Sequence, residues 1–411
     1  MRRGGRISLS VSARKIGTID KIDRCNLNNP ICKSFTNVDG CAIIQKEKTG
    51  RLPDGKEVWI MKFIQAEKLK EKPADQSKLG FGKIFTDYML TMKYKDGKWE
   101  EPVIQPYGPV PFDLATTVFH YAQGIFEGLK AFRNEKGEIR VFRPEENFKR
   151  MNRSADRMCI PRIDEKVALD GLFELLRIEK DWIPTAPGTA LYIRPSIIAT
   201  NVALGVHASS EYLFFIILSP VGSYYAHGLA PTRLLVEDYY TRATVGGTGE
   251  SKCIANYAVS LKAGEEAEKK GFDQVLWLDA NEKKYVEEVG SMNMFFVLDG
   301  EVVTPALVGS ILPGITRKSS IELLRAHGYK VSERRVSIDE VIEAQKKGTL
   351  NEAFGTGTAA VISPVGMMEY KGQDYVVNGG EMGPITKWLY DTITGIQTGR
   401  LEDKFGWVVK L

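Results

Sequence analysis

Histidine is scarce and scattered. His120, His207, His227 and His327 are the only four in 411 residues, and none stands at metal-ligand spacing from another, so no metal centre is expected. Long apolar runs are missing as well. The longest, about residues 212–218, falls far short of the ~20 residues that span a bilayer, and no apolar segment follows the basic N-terminus as it would in a secretory signal. Charge of one sign is lacking: 56 basic and 52 acidic residues leave a net +4, which favours neither nucleic acid nor an anionic membrane as a partner. Cysteine is limited to Cys25, Cys32, Cys41, Cys159 and Cys253. Three crowd the first tenth of the chain. The other two sit in apolar or helical surroundings and read as buried thiols rather than a disulfide. Internal repeats and low-complexity tracts are absent.

What is there suits a large globular chain. With 43% hydrophobic residues and roughly 100–200 residues per domain, two or three domains are expected. Residues 1–60 stand apart. Arg2, Arg3, Arg6, Arg14 and Lys15 precede the first acidic residue, Asp20, and no helical or strand period follows. Three readings stay open for this extension: a mitochondrial presequence, a small unit held by Cys25, Cys32 and Cys41, or a disordered upstream stretch translated from a mis-assigned start. The third rests on Met61, which resembles a natural first residue, and on Lys56-Glu57-Val58, whose codons can contain a bacterial ribosome-binding sequence. In each case the segment is expected to be dispensable. A presequence would imply the mitochondrion; otherwise the cytoplasm is expected.

Globular patterning begins near Met61. Residues 190–195 and 212–218 read as buried strands, and Ser219-Pro220-Val221-Gly222 as the start of a linker between two units. Beyond it, residues 255–270 form a helix ended by Gly271, 274–278 and 293–298 form strands, and 317–327 a helix stopped by Gly328. A strand over 330–335 follows. Ser337 and Glu340 then form a capping box for a last helix to about Lys347. Strands interleaved with helices predict an α/β second half.

The chemistry concentrates in four places. Val245-Gly246-Gly247-Thr248-Gly249-Glu250-Ser251-Lys252 brings flexible glycines up to a lysine, with Tyr257 five residues later at a helix start. A lysine in such a setting can have its pKa lowered and act as an amine nucleophile; a turn with a solvated lysine fits the local pattern equally well. It is not a P-loop, because Ser251 stands where the glycine before the lysine should be. Gly355-Thr356-Gly357-Thr358-Ala359-Ala360 fits a dinucleotide fingerprint, but lies too near the C-terminus to open a doubly wound domain. Leu312-Pro313-Gly314-Ile315-Thr316-Arg317 opens a helix whose free N–H groups suit a phosphate, or is an ordinary N-terminus. Glu287-Glu288 is an acidic pair beside a buried strand, which calls for a cationic partner.

From about Gly80 to Leu411 these elements, in this order and spacing, resemble the branched-chain amino acid aminotransferases, pyridoxal-phosphate enzymes of fold type IV. The resemblance also runs through Phe81-Gly82-Lys83-Ile84-Phe85-Thr86-Asp87, Phe126-Glu127-Gly128-Leu129-Lys130-Ala131-Phe132, Phe142-Arg143-Pro144 and Leu191-Tyr192-Ile193-Arg194-Pro195. It implies a mixed α/β fold with a smaller domain over residues 62–221, a linker over 222–229, and a larger domain over 230–411. The cofactor, pyridoxal 5'-phosphate, would lie between them. Lys252 would form the Schiff base and shuttle the proton, and Tyr257 would bond the phenolic oxygen. Glu288 would keep the pyridine nitrogen protonated. Arg150, Ile315, Thr316 and Thr358 would hold the phosphate. Ser291 and Ala359 would receive the substrate carboxylate. Phe126, Tyr192 and Tyr224 would surround the side chain, with Tyr121 and the Leu204-Gly205-Val206 loop supplied by a second copy of the chain in a homodimer; on physical grounds, tyrosine hydroxyls and Arg194 would stabilise the distal carboxylate of glutamate in the same pocket. The aromatic residues, read without the resemblance, are plain core. The substrates implied are L-leucine, L-isoleucine or L-valine with 2-oxoglutarate, giving branched-chain 2-oxo acids and L-glutamate. Ala360 and Ser363 occupy positions where some relatives carry a redox-active cysteine pair, so no thiol switch is expected there. The competing readings are a D-amino acid aminotransferase or aminodeoxychorismate lyase on the same fold, and a non-catalytic nucleotide-binding protein built on the glycine loops.

Overall fold

The computed structural model describes residues 61–222 and 229–411, together with the backbone of a two-strand antiparallel pair, Thr36–Val38 against Cys41–Ile43. Apart from that strand pair, residues 1–60 and their three readings fall outside the described residues, as does the assignment of Tyr224. Among those residues, no helix is long and apolar enough to cross a membrane, and no cluster of His, Cys, Asp and Glu could hold a metal.

Two sheets organise the rest. The first is largely antiparallel. Its order runs Val408–Lys410, Ile139–Phe142, Leu129–Arg133, Ala190–Ala199, Tyr212–Val221, Tyr88–Lys95, Val103–Pro106, Lys62–Phe63. The short strand Gly124–Phe126 pairs with the far half of Ala190–Ala199. Two helices supply the other side of its core. Glu165–Ile178 starts at Asp164, whose carboxylate accepts the Val167 N–H at 3.0 Å, and buries Val167, Ala168, Leu172, Leu175 and Leu176 on one face. Pro144–Arg157 starts with proline at N1 and acidic residues in its first turn. Its buried face carries Phe148, Met151 and Ala155, but also Asn147, Arg150 and Ser154 at helical spacing. Such a polar stripe persists inside only if every group finds a partner.

The second sheet is mixed. Val286–Val289, Gln274–Leu278, Thr232–Glu237, Val361–Tyr370, Leu350–Gly357 and Met292–Leu298 follow one another, and a pairing of Val286–Val289 with Met292–Leu298 closes these six into a ring. That last pairing is a hairpin through Gly290-Ser291. Gly290 takes φ +55°, and a Cβ there would stand 2.0 Å from Gln274 Oε1, so glycine is required. Leu234, Leu276, Met294, Phe296 and Val365 fill one apolar cluster of this unit. Helices Ile315–Ala326 and Pro384–Thr398 cover another, around Phe295 and Phe354.

Several expectations need correction. Ser219-Pro220-Val221 is not linker but the end of the strand Tyr212–Val221, with Val221 opposite Ala190. Gly222 sends its N–H to Gly80 O at 2.9 Å. Pro220 has the same parity, so its missing N–H falls on the side away from Ala190–Ala199 and the ladder survives. The helix expected over 255–270 is two helices, Ala255–Ala258 and Leu261–Lys269, ended by Gly271 at φ +82°. Cys159 is an exposed free thiol rather than a buried one; Cys253 is buried and free. The Gly355–Ala360 motif lies on the strand Leu350–Gly357 and its turn into Val361–Tyr370, with no helix after it, which excludes the dinucleotide reading. The sheet of the first unit also takes an edge strand from Val408–Lys410, paired with Ile139–Phe142, so residues numbered in the second unit complete the first.

Candidate active site

The glycine-rich approach ends where the two units meet. Gly249 passes so close to the loop before Ile315–Ala326 that a Cβ would stand 2.1 Å from Ser310 O. Asn256 then ties the turn down, donating to Thr248 O and Ser251 O, each at 2.8 Å. Lys252 follows, and its backbone belongs to the first unit on both sides. Its N–H donates to Ser154 Oγ at 2.9 Å, and its carbonyl accepts from Phe126 N at 3.0 Å. The main chain is thus fixed while the side chain is left for chemistry. Lys252 Nζ donates to the Tyr257 hydroxyl at 2.8 Å and lies 4.8 Å from the Phe126 ring centre.

The polar stripe of Pro144–Arg157 finds its partners here. Ser154 serves Lys252. Asn147 and Arg150 both serve Glu127, which is fully buried: Arg150 Nε and Nη2 reach its two oxygens at 2.8 and 2.7 Å, and Asn147 Nδ2 donates at 2.8 Å. The remaining nitrogen, Arg150 Nη1, donates to Pro313 O at 3.1 Å. That contact sets Arg150 against the start of helix Ile315–Ala326. No side chain caps this helix at Gly314, so the first N–H groups, of Ile315 and Thr316, are available to an anion. Gly314 lets the Asn293 side chain approach closely, since a Cβ would stand 1.9 Å from Asn293 Oδ1.

Glu287 and Glu288 are both buried on the strand Val286–Val289, and they have different partners. Glu287 accepts from Ser310 Oγ, and its other oxygen is buried without a partner. Glu288 accepts the Leu312 N–H at 2.7 Å, and Arg242 Nη2 stands 3.3 Å away. Burial pushes both carboxyls up; Arg242, the Leu312 N–H, Lys252 and Arg150 pull Glu288 back, and the Ser310 bond and Arg242 do the same for Glu287. Arg242 is the cationic partner that the acidic pair demanded.

A cavity of about 530 Å³ opens above Lys252. Phe126, Tyr192, Arg194, Tyr257, Ser291, Thr358 and Ala359 line it together with Phe81, Ser196 and Phe215. Arg194 donates to the Tyr192 hydroxyl at 3.1 Å and stacks 4.6 Å from the Phe126 ring centre, while its Nε is buried with no partner. A smaller polar cleft of about 20 Å³ continues past Tyr257 and Ser291 to Glu288, Arg242 and Leu312. Tyr121 does not line the cavity. It is exposed, and its hydroxyl donates to Leu204 O beside the exposed side chains of Leu204 and Val206.

The donor set fits a flat, phosphorylated cofactor with a basic ring nitrogen. An amine and a phenol stand at one end, an uncapped helix start with Arg150 offers an anion cradle, and a buried carboxylate is reached through the polar cleft. Thr356 Oγ1, buried without a partner on the strand that delivers Thr358, marks one further unused polar group. Sequence reasoning missed Glu127, Ser154 and Arg242. An acidic residue amid the apolar run at 125–132 is a signal that could have exposed Glu127; nothing local distinguishes Arg242.

Comparison with known proteins gives a consistent result. The family described as amino-transferase class IV matches residues 124–367. The chain is 56% identical over 349 residues to the branched-chain-amino-acid aminotransferase 2 of Bacillus subtilis, covering 85% of this chain and 96% of that one. Among solved structures it is similar to the branched-chain amino acid aminotransferase of Escherichia coli, with a TM-score of 0.64 and 27% identity over 78% of this chain and 98% of that chain. A T.th. branched-chain amino acid aminotransferase complexed with N-(5'-phosphopyridoxyl)-L-glutamate matches with a TM-score of 0.61 and 26% identity, over 77% of this chain and 97% of that chain.

Proposed function

The chain belongs to the class IV aminotransferase family, and from that premise we propose that it transfers the amino group of L-leucine, L-isoleucine or L-valine to 2-oxoglutarate, with pyridoxal 5'-phosphate as cofactor. One arrangement carries the reading. The Lys252 amine, bonded to Tyr257, opens into a partly aromatic cavity that also holds Ser291 and Ala359, with Glu288 buried behind it. The names of the B. subtilis, E. coli and T.th. relatives support the substrate class, and the phosphopyridoxyl complex supports the cofactor.

Lys252 would hold the cofactor covalently through Nζ, and Tyr257 would bond its phenolic oxygen. Arg150, Ile315, Thr316 and Thr358 would hold its phosphate, and Glu288 would face its ring nitrogen. When bound, the cofactor supplies the electron sink that lets the substrate Cα–H ionise. Lys252 Nζ, released when the substrate's amino group takes its place, would accept that proton and later return one. Ser291 and Ala359 orient the substrate through its carboxylate. Phe126 and Tyr192 exclude water from a branched aliphatic side chain. Arg194, which lines the cavity, suits the second carboxylate of glutamate in the same space.

A homodimer follows from the same reading. Leu114, Phe119, Val202, Leu204 and Val206 are exposed on two segments joined by the Thr116–Val202 bridge and the Tyr121–Leu204 bond. Such a patch suits burial against a second copy, which would bring Tyr121 and residues 204–206 to the neighbouring site. The bacterial relatives support the cytoplasm as the place of action. The domain division proposed is 62–221 and 230–411, with the strand Val408–Lys410 lent to the first.

The test is direct. Purified protein loaded with pyridoxal phosphate is assayed for L-glutamate formed from L-leucine and 2-oxoglutarate. Turnover with L-leucine and none with D-alanine is expected; the reverse would replace this reading with that of a D-amino acid aminotransferase.

A further inference from the structure

Lys130 takes no part in the chemistry described so far, yet its placement is unusual. It lies on the strand Leu129–Arg133, opposite Tyr192 on Ala190–Ala199. Cross-strand partners point to the same face, so Lys130 shares the face of the first sheet that presents Tyr192 to the substrate cavity. Neighbouring Gly128 holds Tyr192 close, since a Cβ there would stand 2.2 Å from the tyrosine hydroxyl. From this position Lys130 crosses to the second unit and donates to Ala359 O at 2.6 Å. It does not line the substrate cavity. It lines a separate cavity of about 1250 Å³, whose wall also includes Ala359. The Ala359 turn is thus a thin partition with the substrate space on one side and an ammonium on the other.

A partly buried amine whose acceptor is a neutral carbonyl is poorly compensated. Burial pushes Lys130 down to about 8. The charged groups that line the two cavities are Arg194 and Lys252 in the substrate cavity, and Arg133, Glu135, Lys136 and Arg400 in the other. Most are cations, so a bound anion at the partition would relieve the site.

We propose that Lys130 is a positioning residue for the substrate carboxylate, tying the Thr358-Ala359 turn to the first sheet and setting a positive charge behind that turn, on the side away from the anion. The inference rests on the proposed seat of that carboxylate at Ser291 and Ala359. The Ala359 carbonyl holds the ammonium in place, and its charge acts on the carboxylate across the turn, through a medium of low dielectric, without touching substrate.

The experiment compares 4-methylvalerate, a branched carboxylate with no amino group, with its neutral amide, by calorimetry on the cofactor-loaded enzyme. Lys130→Met should weaken the carboxylate by roughly 10-fold, the scale of a unit charge acting across a partition at an effective dielectric of about 20, and the amide by no more than about 2-fold. KM for both substrates should rise in parallel while kcat and the cofactor absorbance hold. In the wild type, preference for carboxylate over amide should fall as pH rises through about 8. Lys130→Arg should retain the preference and move that fall to higher pH, which answers the question even if the methionine variant does not fold. Equal weakening of both probes, or a wild-type preference flat across pH 7–9, would overturn the proposal. A wild type that binds cofactor and turns over no branched-chain amino acid would instead overturn the functional reading.

Discussion

Lys252 hangs its side chain from a backbone that Ser154 and Phe126 fix independently of the amine. Lys252→Ala therefore removes the nucleophile and none of the main-chain contacts. It should fold like the wild type, by circular dichroism and melting temperature, and lose transamination by orders of magnitude. Borohydride reduction followed by peptide mass spectrometry should find the cofactor on Lys252 in the wild type; label on Lys130 or Lys262 would refute the assignment. The acidic pair gives a sharper contrast. Glu288 reaches the cleft shared with Tyr257, whereas Glu287 ends at Ser310. Glu288→Gln should cut kcat by roughly 100-fold or more, on the scale of losing a buried electrostatic partner, and Glu287→Gln should cost less than about 3-fold. Equal losses would show that the pairing is misassigned. At this scale the sequence was readable where chemistry needs a rare combination, as with a lysine after glycines and a tyrosine five residues on. It was opaque at Arg242, an ordinary residue made functional only by a fold that sets it 3.3 Å from Glu288.

Helix Glu165–Ile178 ends at Glu179, whose carboxylate accepts the Tyr88 N–H at 2.5 Å and so joins the helix to strand Tyr88–Lys95. Burial pushes this carboxyl up to about 7, helped by the charge of Asp87 and opposed by the Tyr88 N–H. The folded pKa lies above the unfolded carboxylate value, so the folded chain binds more protons between about pH 4.5 and 7. Its contribution to stability is present below that window and is lost as pH rises through it. Glu179→Gln keeps an acceptor for Tyr88 and removes the titration. It should melt like the wild type near pH 4.5 and at a higher temperature than the wild type at pH 8; a difference independent of pH would contradict this. Other elements show what local sequence can and cannot settle. Ser337 caps helix Ile338–Lys346 through the Glu340 N–H at 3.0 Å, as its spacing predicts. The return half of the expected box is replaced, because Glu340 turns to Arg334 instead. Tyr212–Val221 overran its expected end because proline and glycine signal a break only when their backbone groups are needed, and Gly222 is served by Gly80, a residue far away in sequence.

The proposed assembly is tested at the scale of the molecule. Leu204 is 68% exposed beside Val206 and Val202, and a charge placed there would be buried without a partner in a dimer. Leu204→Glu should halve the mass seen by light scattering at micromolar concentration and lower activity, while the monomer keeps its secondary structure. A variant that stays dimeric, or a monomer with full activity, would exclude this face as the interface. The α/β character of the chain was legible from its alternating patterns. The closure of six strands into a ring was not, because ring closure depends on pairings between residues as distant as Asn293 and Thr356. The edge strand Val408–Lys410 was equally hidden, and it sets a clock on the making of the protein. Arg140, on the strand it covers, already waits 257 residues for its contact with Gln397, and the covering strand comes later still. At about 5–20 residues per second, that is roughly 13–51 s of synthesis. Throughout it, Ile139–Phe142 offers a bare backbone edge to whatever nascent chain lies nearby. Slower translation would therefore lengthen the time in which this edge can pair with the wrong strand.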